Sequence, residues 1–556
     1  MLLHPAYALI LILCCVGSLG YKILVFSPTL TRSHMILNGK VADTLAADGH
    51  DVTVLEIEFF VNSKAIESTK LAKRWIIDGP FVEKNLHEKQ NIGARSFQMV
   101  NMLQKIMAIG FFQKFLNKAC QNFLNEPGII EKLKAEKFDV FIGYQLNLCG
   151  SALSRAVDIP IHILLVSCPI QEHVSSILGL PFQTSYVPTL FHSDFSDKMT
   201  YWERMNNFLL ATGAQYSFMV ATSGVTRMFR EKFGGDFPDA IDIVKDSPFI
   251  LVNVDEFVDF PRTTFHHVVY IGGLGLPDTT AKEIQEPYRS ELEKGKSGVV
   301  FFSLGSAVDT KFLDDSFMQN VFAAFAALPD YHFIVKFDKH DNNSLLQSKT
   351  LSNVFPTSWA PQTDILAHPR VKLFISHCGY NSLLESARSG MPVLCVGFFA
   401  DQMRNGRVAE RNGWGLTFDK LKLLKGHTEF LARIQELLSN ATYSVQAKRT
   451  EKLVKSKPTS AEERLTKSFR FLELNGGRLP ELLPEGRNLS SIAYYNFDVI
   501  LGLIMIATLI IVLLVALLRL CARAICLWKV YFVVGKQFWK LKSKVEGEKE
   551  EHLKSN

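Results

Sequence analysis

The chain has 556 residues and a mass of 62.6 kDa, enough for at least two domains with substantial cores. Hydrophobic residues make up 47% and charged residues 21%, which excludes disorder as the general state. The formal net charge is +6, and the segment 519–556, with nine Lys or Arg against four Asp or Glu, supplies five of those charges. The rest of the chain is nearly neutral, so we expect no nucleic-acid partner.

Apolar stretches at both ends predict a membrane protein. Residues 1–20 have the pattern of a cleaved secretory signal peptide, with a buried strand or an uncleaved anchor as alternatives. Residues 499–518 contain no charge and, as a helix of about 30 Å, are long enough to cross a bilayer. The basic segment 519–556 follows, and positive charge on that side predicts a cytosolic tail. The expected topology is a single-pass type I membrane protein with a lumenal or extracellular body.

The nine cysteines are too sparse for a disulfide scaffold. Five lie outside the two terminal segments, and none of them forms a CxxC pair, so neither a zinc site nor a thioredoxin motif is predicted. If the others pair, at least one of the five stays free. Glycosylation sequons at Asn342, Asn440 and Asn488 permit a lumenal glycoprotein.

The first half of the chain alternates strands with helices. A strand over 21–26 is followed by a loop and a helix over 35–47, where apolar residues recur every four positions. The stretch 76–124 is aromatic-rich and is predicted to be helical. Further strands of this half are predicted over 51–57, 138–142 and 159–166.

The same pattern starts again after a polar segment, 277–298, that reads as an interdomain linker. Helices are predicted around 317–328 and over 381–389. Alternating strands and helices imply parallel sheets covered on both faces. We therefore predict an α/β protein with two Rossmann-like domains, 21–276 and 299–490, that face a cleft. The strands of the second domain are predicted over 299–302, 333–337, 371–376 and 393–396.

Polar side chains follow the predicted strand 371–376, where an α/β sheet binds its ligands. Gly379 permits a tight turn, and a helix that begins near Asn381 offers backbone N–H groups to an anion. His377 and Ser382 add donors that suit phosphate oxygens, and Ser306 at the end of another strand closes the other side.

Four further residues suit the other parts of a nucleotide sugar. Glu385 lies one helical turn after Asn381, where its carboxylate can accept both ribose hydroxyls. Trp359 offers a flat face on which a base can stack. Asp401 and Gln402 follow the next strand and suit sugar hydroxyls. Each of these residues taken alone has an ordinary structural explanation, but together they form a pattern.

The stretch 359–402 resembles the donor-binding signature of UDP-glycosyltransferases, and the likeness extends to the membrane-bound animal branch of that family through 271–273, 302–306 and both chain ends. The positions that match the signature are Trp359, Gln362, His377, Gly379, Asn381, Ser382, Glu385, Pro392, Asp401 and Gln402. The resemblance implies the glycosyltransferase B fold, with UDP-sugar in the C-terminal domain and the acceptor in the N-terminal domain.

By that resemblance, the donor residues divide into four tasks: Trp359 stacks on uracil; Gln362 and Glu385 hold ribose; Ser306, His377, Asn381 and Ser382 bind the diphosphate; Asp401 and Gln402 hold the sugar. UDP-sugar is then a co-substrate, and neither a cofactor nor a metal ion is expected, because neutral and helix-end donors take the place of Mg²⁺.

His34 is the candidate general base, at the end of the loop after the first strand. The family has a histidine here and pairs it with a carboxylate that stabilises the imidazolium. The equivalent position in this chain is Tyr144, whose phenol is neutral at pH 7 and cannot offset that charge. The structural alternative for His34 is an ordinary helix-capping residue.

The leading hypothesis is therefore inverting transfer of a sugar from UDP-sugar to a hydroxyl of a small lipophilic acceptor, with His34 as base. The alternative, prompted by Tyr144, is a non-catalytic UDP-sugar-binding partner of active relatives. A nicotinamide oxidoreductase is disfavoured, since no GxGxxG follows a first strand. Glucuronate would need a cation near its carboxylate, and the sequence identifies no Lys or Arg for that place. This favours glucose over glucuronate as the transferred sugar. The resemblance further implies a detoxifying enzyme of the endoplasmic reticulum membrane and allows homo- or hetero-oligomers.

Overall fold

The computed structural model describes residues 20–59, 64, 66–79, 81–82, 95–98, 101–276, 284–306 and 308–554. The signal peptide predicted over 1–20 thus lies outside the described residues except for its last position, and so does the first part of the predicted linker, 277–283. The chain divides into two units, Met1–Arg487 and Asn488–Asn556.

The first sheet contains seven described strands, all parallel, in the order β3-β2-β1-β4-β5-β6-β7. Most of their residues are buried, as expected of apolar strands covered on both faces. The strands are β1 (Lys22–Pro28), β2 (Asp51–Ile57), β3 (Lys73–Ile77), β4 (Val140–Tyr144), β5 (Ile161–Val166), β6 (Ile250–Val252) and β7 (Val268–Tyr270).

Helices cover this sheet and connect several of its parallel strands. β6 and β7 are instead joined by the loop 253–267. The described helices of this half are α1 (Arg32–Ala47), α2 (Met102–Leu124), α3 (Ile129–Ala135), α4 (Cys149–Ala156), α5 (Glu172–Ile177), α6 (Tyr201–Phe233) and α7 (Ala240–Lys245).

The second sheet has six strands within the described ranges, again parallel, in the order β10-β9-β8-β11-β12-β13. The two sheets confirm the predicted fold class. The strands are β8 (Gly298–Ser303), β9 (Tyr331–Lys336), β10 (Val354–Thr357), β11 (Val371–Ser376), β12 (Val393–Cys395) and β13 (Gly415–Thr417).

The second half carries more helices than the sequence analysis predicted. They are α8 (Tyr288–Leu292), α9 (Asp315–Ala326), α10 (Asn342–Ser348), α11 (Gln362–Ala367), α12 (Tyr380–Arg388), α13 (Gln402–Arg411), α14 (Lys420–Leu423), α15 (Thr428–Ser439), α16 (Ala441–Lys455) and α17 (Ala461–Leu474).

The prediction of a helical stretch from residue 76 is wrong at its start. β3 ends at Ile77 and pairs with β2 at the edge of the first sheet. The helix α2 begins only at Met102, after Asn101 and Gln104 form a reciprocal capping box. β6, β7, β10 and β13 were not predicted, because strands of three or four residues are too short to show a periodicity.

The helix α17 follows the second domain in sequence but packs on the first sheet. Leu465, Phe469 and Leu472 are fully buried in one hydrophobic cluster with Ile23 and Val25 of β1. The chain thus returns to its N-terminal half before it reaches Asn488.

The second unit is helical. It contains α18 (Ser491–Tyr494) and α19 (Phe497–Leu553), a helix of 57 residues. The predicted span, 499–518, lies inside α19, whose most apolar 18-residue window has a mean hydropathy of 3.2. By length and composition this helix could cross a membrane.

A pair of phenylalanines on α17 tests its packing on the first sheet. Phe469 is fully buried and Phe471 is 49% exposed. We expect Phe469→Ala to lower the free energy of unfolding by about 3–5 kcal/mol, because it leaves a cavity. The matched variant Phe471→Ala should change it by no more than about 0.5 kcal/mol. Urea unfolding of the detergent-solubilised chain measures both, and equal effects would contradict the packing described.

Candidate active site

The polar residues predicted to bind a ligand lie at the carboxyl ends of parallel strands in both sheets. On the first sheet, His34 follows β1 and Tyr144 ends β4. His34 lies in the first turn of α1 rather than in the loop, because α1 already begins at Arg32, with Thr31 as its cap. On the second sheet, the predicted donor residues follow β8, β10, β11 and β12.

His377 is enclosed between the backbones of two loops. A Cβ on Gly305 would lie 2.5 Å from the His377 ring, and a Cβ on Gly379 would lie 2.6 Å from its Nε2. Only glycine fits at such close approaches. His377 Nδ1 is buried and has no hydrogen-bond partner in the protein. That nitrogen is closed to solvent, so a ligand oxygen can approach this ring only at Nε2.

Burial, with a smaller contribution from the nearby Lys336 ammonium, lowers the pKa of His377 to about 3. His377 is therefore neutral at pH 7 and can donate one hydrogen bond from an N–H group. The helix α12 begins two residues after Cys378, with Gly379 as its N-cap. Its first backbone N–H groups lie beside the same loop, where an anion is favoured.

Gln362, Ser382 and Glu385 form one hydrogen-bonded group. Gln362 Nε2 donates to Ser382 Oγ at 3.1 Å and to the Glu385 carboxylate. Burial raises the pKa of Glu385, while Gln362 and nearby lysines oppose that effect. Trp359 is 57% exposed, so its indole has an open face, and Ser306 is also exposed.

Lys336 is a cation that the sequence analysis missed. It ends β9, and its Nζ donates to Gly305 O at 2.9 Å, beside the enclosed His377. Burial lowers its pKa, and the Glu385 carboxylate raises it. Lys336 could have been predicted from its place at the carboxyl end of a strand, β9, which pairs with β8. The interaction of Lys336 with both His377 and Glu385 places a positive charge among the predicted diphosphate and ribose residues.

Asp401 and Gln402 are held by the loops around them. Asn405 Nδ2 donates to Asp401 Oδ2 at 2.7 Å and to Cys378 O at 3.0 Å, which ties the β11 and β12 loops together. Gln402 Oε1 accepts from Phe398 N at 2.8 Å. Asn405 was not predicted, because nothing in its helical surroundings marks it.

Two disulfides occur among the described cysteines, and Cys168 is a free, partly buried thiol. Cys378 pairs with Cys395 and so joins the ends of β11 and β12 at the donor loop. Cys120 pairs with Cys149 and joins α2 to α4.

Polar contacts connect the two Rossmann-like domains across the predicted cleft. Asn253, after β6, donates from Nδ2 to Ser167 O at 3.0 Å and to Asn381 Oδ1 at 2.8 Å. Arg404 and Asp259 form a buried ion pair at 2.6 Å. The oxygen of the Asn381 amide is thus engaged by the first domain, which leaves its NH₂ group for a ligand.

His34 and Tyr144 are hydrogen-bonded. Tyr144 Oη lies 2.7 Å from His34 Nδ1 and 3.5 Å from Ser167 Oγ, a weak contact. The Gln145 amide has hydrogen-bond partners for both its atoms in one of its two orientations. In that orientation Nε2 donates to Leu165 O at 2.7 Å and Oε1 accepts from Ser167 Oγ at 2.8 Å. A row of neutral groups therefore extends from His34 into the first sheet.

These groups stay uncharged at neutral pH. Burial lowers the pKa of the half-buried His34 to about 4. Burial also raises the pKa of Tyr144 well above its usual value, with smaller contributions from Cys168 and Asp401. Since the Asp401 carboxylate acts on Tyr144, the predicted sugar-binding and catalytic residues lie within electrostatic range of each other.

A narrow apolar cavity lies beside Tyr144. Most of its lining residues come from the ends of β1, β2 and β4 and from α2. They include Phe26, Leu30, Phe59, Leu116, Phe123 and Leu146.

A family model described as "UDP-glucoronosyl and UDP-glucosyl transferase" matches residues 21–531. The chain belongs to this family. It is thus a UDP-glycosyltransferase, in which a sugar passes from a UDP-sugar to an acceptor.

Relatives and solved structures agree with that assignment. A Caenorhabditis elegans protein named as a UDP-glucuronosyltransferase, ugt-46, is 40% identical over 487 residues, which cover 87% of this chain and 91% of the relative. Human UDP-glucuronosyltransferase 3A2 is 28% identical and covers 80% of this chain and 83% of its own length. The crystal structure of Os79 from O. sativa in complex with U2F and trichothecene has a TM-score of 0.57 at 16% identity, and the match covers 81% of this chain and 100% of that one. The architecture is that of the glycosyltransferase B fold.

Removing the Lys336 charge should weaken binding of UDP. We expect Lys336→Gln to raise the dissociation constant of UDP at least about tenfold, or about 1.4 kcal/mol, because a partly buried cation beside the predicted diphosphate site is lost. The exposed Lys339 provides the matched variant Lys339→Gln, which should bind UDP like the unmodified chain. Isothermal titration calorimetry decides, and equal affinities in the two variants would place the diphosphate elsewhere.

Proposed function

We propose that this glycosyltransferase inverts the anomeric carbon as it transfers glucose or glucuronate from a UDP-sugar to a hydroxyl of a small lipophilic acceptor, with His34 as the general base. The observation that carries the proposal is the pair of groups at the strand ends: a half-buried histidine on the first sheet, and His377 beside Lys336 and the N-terminus of α12 on the second. The first can receive a proton, and the second can hold a phosphate oxygen.

The donor half stabilises the leaving group. Negative charge develops on the β-phosphate as the glycosidic bond to UDP breaks. His377, Lys336 and the N-terminus of α12 provide hydrogen-bond donors and positive potential at this place before the reaction begins. Asp401 and Gln402 hold the sugar hydroxyls, while Gln362 and Glu385 hold ribose and Trp359 stacks on uracil.

The acceptor half removes the proton. A neutral histidine is a base only at the nitrogen that carries no proton. If His34 Nδ1–H donates to Tyr144 Oη, Nε2 is the free base, and the Tyr144 hydroxyl proton points to Ser167. Ser167 in turn donates to the Gln145 amide oxygen, so the fixed amide at the end of the row favours this tautomer.

Apolar side chains beside Tyr144 support a lipophilic acceptor. The cavity there is lined mainly by aromatic and aliphatic groups, which bind apolar molecules by removing them from water. The cavity has a volume of only about 20 Å³, room for about one water molecule, so it must widen to admit an acceptor. An acceptor with one polar hydroxyl would then place that group toward His34 and its apolar body against this apolar lining.

We further propose a type I topology in the endoplasmic reticulum membrane, with the first unit in the lumen. The two disulfides are typical of an oxidising compartment. The helix α19 has the length for a membrane anchor, and the basic residues that follow its apolar part favour the cytosolic side.

Replacing the base should slow transfer strongly while leaving donor binding intact. We expect His34→Ala to lower kcat/KM by about 10²–10⁴-fold, the usual contribution of a general base. UDP affinity should stay unchanged, because His34 lies on the acceptor side. UDP release with UDP-glucose and UDP-glucuronate, measured on a panel of phenols, tests this.

The same assay examines the alternative role. Suppose that the unmodified chain binds UDP but produces no UDP from any UDP-sugar with any acceptor. It is then a non-catalytic binding partner of active relatives, and the proposed activity is wrong. If His34→Ala is as active as the unmodified chain, another group is the base.

The proposed donor chemistry needs no metal ion, because side-chain and backbone donors carry the charge of the leaving group. We therefore expect kcat/KM to be unchanged after dialysis against EDTA. A loss of activity that Mg²⁺ or Mn²⁺ restores would contradict this part of the proposal.

A further inference from the structure

The group behind the proposed base is a phenol with no charge to offer. Tyr144 is 2% exposed and ends β4, and its hydroxyl lies 2.7 Å from His34 Nδ1. The next groups along the row, Ser167 and Gln145, are also neutral. Each can orient a hydrogen bond, but none can balance a positive charge on the imidazole.

We propose that Tyr144 is a specificity-determining residue that restricts this enzyme to acceptors with an acidic hydroxyl, such as phenols, and discriminates against aliphatic alcohols. The inference rests on the transferase activity proposed above and adds to it the chemical class of the acceptor. Tyr144 acts through His34 and is therefore a positioning residue.

The proton balance of the reaction gives the reason. As the acceptor oxygen bonds to the anomeric carbon, the bond from that carbon to the UDP oxygen breaks, and the acceptor proton moves to His34 Nε2. His34 then becomes an imidazolium, which a buried, uncharged environment disfavours. A weak base of this kind can remove the proton of a phenol, whose pKa is about 10, far more readily than that of an aliphatic alcohol, which is nearly as weak an acid as water, at about 15.7.

In the part of the chain that the structure describes, no other group supplies the missing charge. His34 contacts Tyr144 of β4 through its ring and its Nδ1. Ser167 and Cys168, after β5, lie next to Tyr144, and Arg32 on the same helix as His34 acts on Lys336 of the second domain. Burial is the sole cause of its lowered pKa, so within the described residues no carboxylate counteracts it. The Asp401 carboxylate acts on Tyr144 and Cys168 and is itself bonded to Asn405.

Two acceptors of similar size separate acidity from fit: 4-methylphenol and 4-methylcyclohexanol. For the unmodified full-length enzyme with its preferred UDP-sugar, we expect kcat/KM to favour the phenol by at least about 100-fold, within the range of acid–base effects. Across substituted phenols, kcat/KM should rise as the phenol becomes more acidic. Comparable values for the two acceptors would overturn the inference while leaving the transferase activity intact.

Tyr144→Asp introduces the carboxylate that the site lacks. We expect this variant to reduce the preference for 4-methylphenol over 4-methylcyclohexanol at least about tenfold, because the imidazolium is now stabilised. The matched variant Tyr144→Phe stays neutral and should keep the preference, even if both rates fall. UDP affinity shows that each variant is folded. An unchanged preference in a folded Tyr144→Asp enzyme would overturn the proposal.

The pH dependence provides a second signature that a purely structural role would not produce. With a pKa of about 4, His34 stays an active base as the pH falls from 8 to 5.5. In Tyr144→Asp the pKa rises toward the usual histidine value of about 6.5, so kcat/KM should fall within that range. Burial raises the pKa values of Asp401 and Glu385, and both groups are present in the unmodified enzyme and in Tyr144→Asp. The measurement is therefore the difference between the pH profiles of kcat/KM for these two proteins. Coinciding profiles would contradict the role of Tyr144.

These outcomes separate the two proposals. Absence of transfer from the unmodified enzyme to every phenol would overturn the proposed function and this inference together. Transfer to phenol and alcohol at similar rates would overturn this inference alone.

Discussion

The close approach of two backbone loops around the His377 ring is the constraint on which the donor half depends. Gly305 and Gly379 have no side chain at the point of contact, so the ends of β8 and β11 can both reach the imidazole. That approach brings Lys336 from the next strand and the first turn of α12 to the same place. Several weak positive contributions thus converge, where a single loop would provide only one.

The same geometry connects the donor half with the acceptor half. Asn381, at the start of α12, accepts a hydrogen bond from Asn253 of the first domain, and the buried pair of Arg404 with Asp259 adds a second connection. A buried ion pair contributes little net stability but fixes the relative position of its partners. These two polar contacts thus fix the position of one domain relative to the other, which keeps His34 and Asp401 near one another.

The sequence predicted the elements that carry a long signal and missed those that depend on tertiary contacts. Alternation of apolar strands with amphipathic helices was sufficient for the two parallel sheets, and the turn at Gly379 was sufficient for the helix start of the donor site. Lys336 and Asn253 were not found, because their contacts are made by residues distant in sequence. β3 was missed and its last two residues were taken for the start of a helix, since an edge strand of five residues has little periodicity of its own. The direction in which the hydrogen bonds between His34 and Gln145 are donated depends on the positions of hydrogen atoms and on the orientation of the amide. No pattern of residues in the sequence reveals either.

The return of α17 to the first sheet has a consequence for how such chains can be divided. Residues 461–474 belong by position to the second half but complete the apolar face of the first. A hybrid that exchanges only the N-terminal halves of two related proteins would combine one sheet with a foreign covering helix. The natural module boundary in this fold is therefore discontinuous, and the exchangeable acceptor module consists of the first sheet together with its distant C-terminal helix.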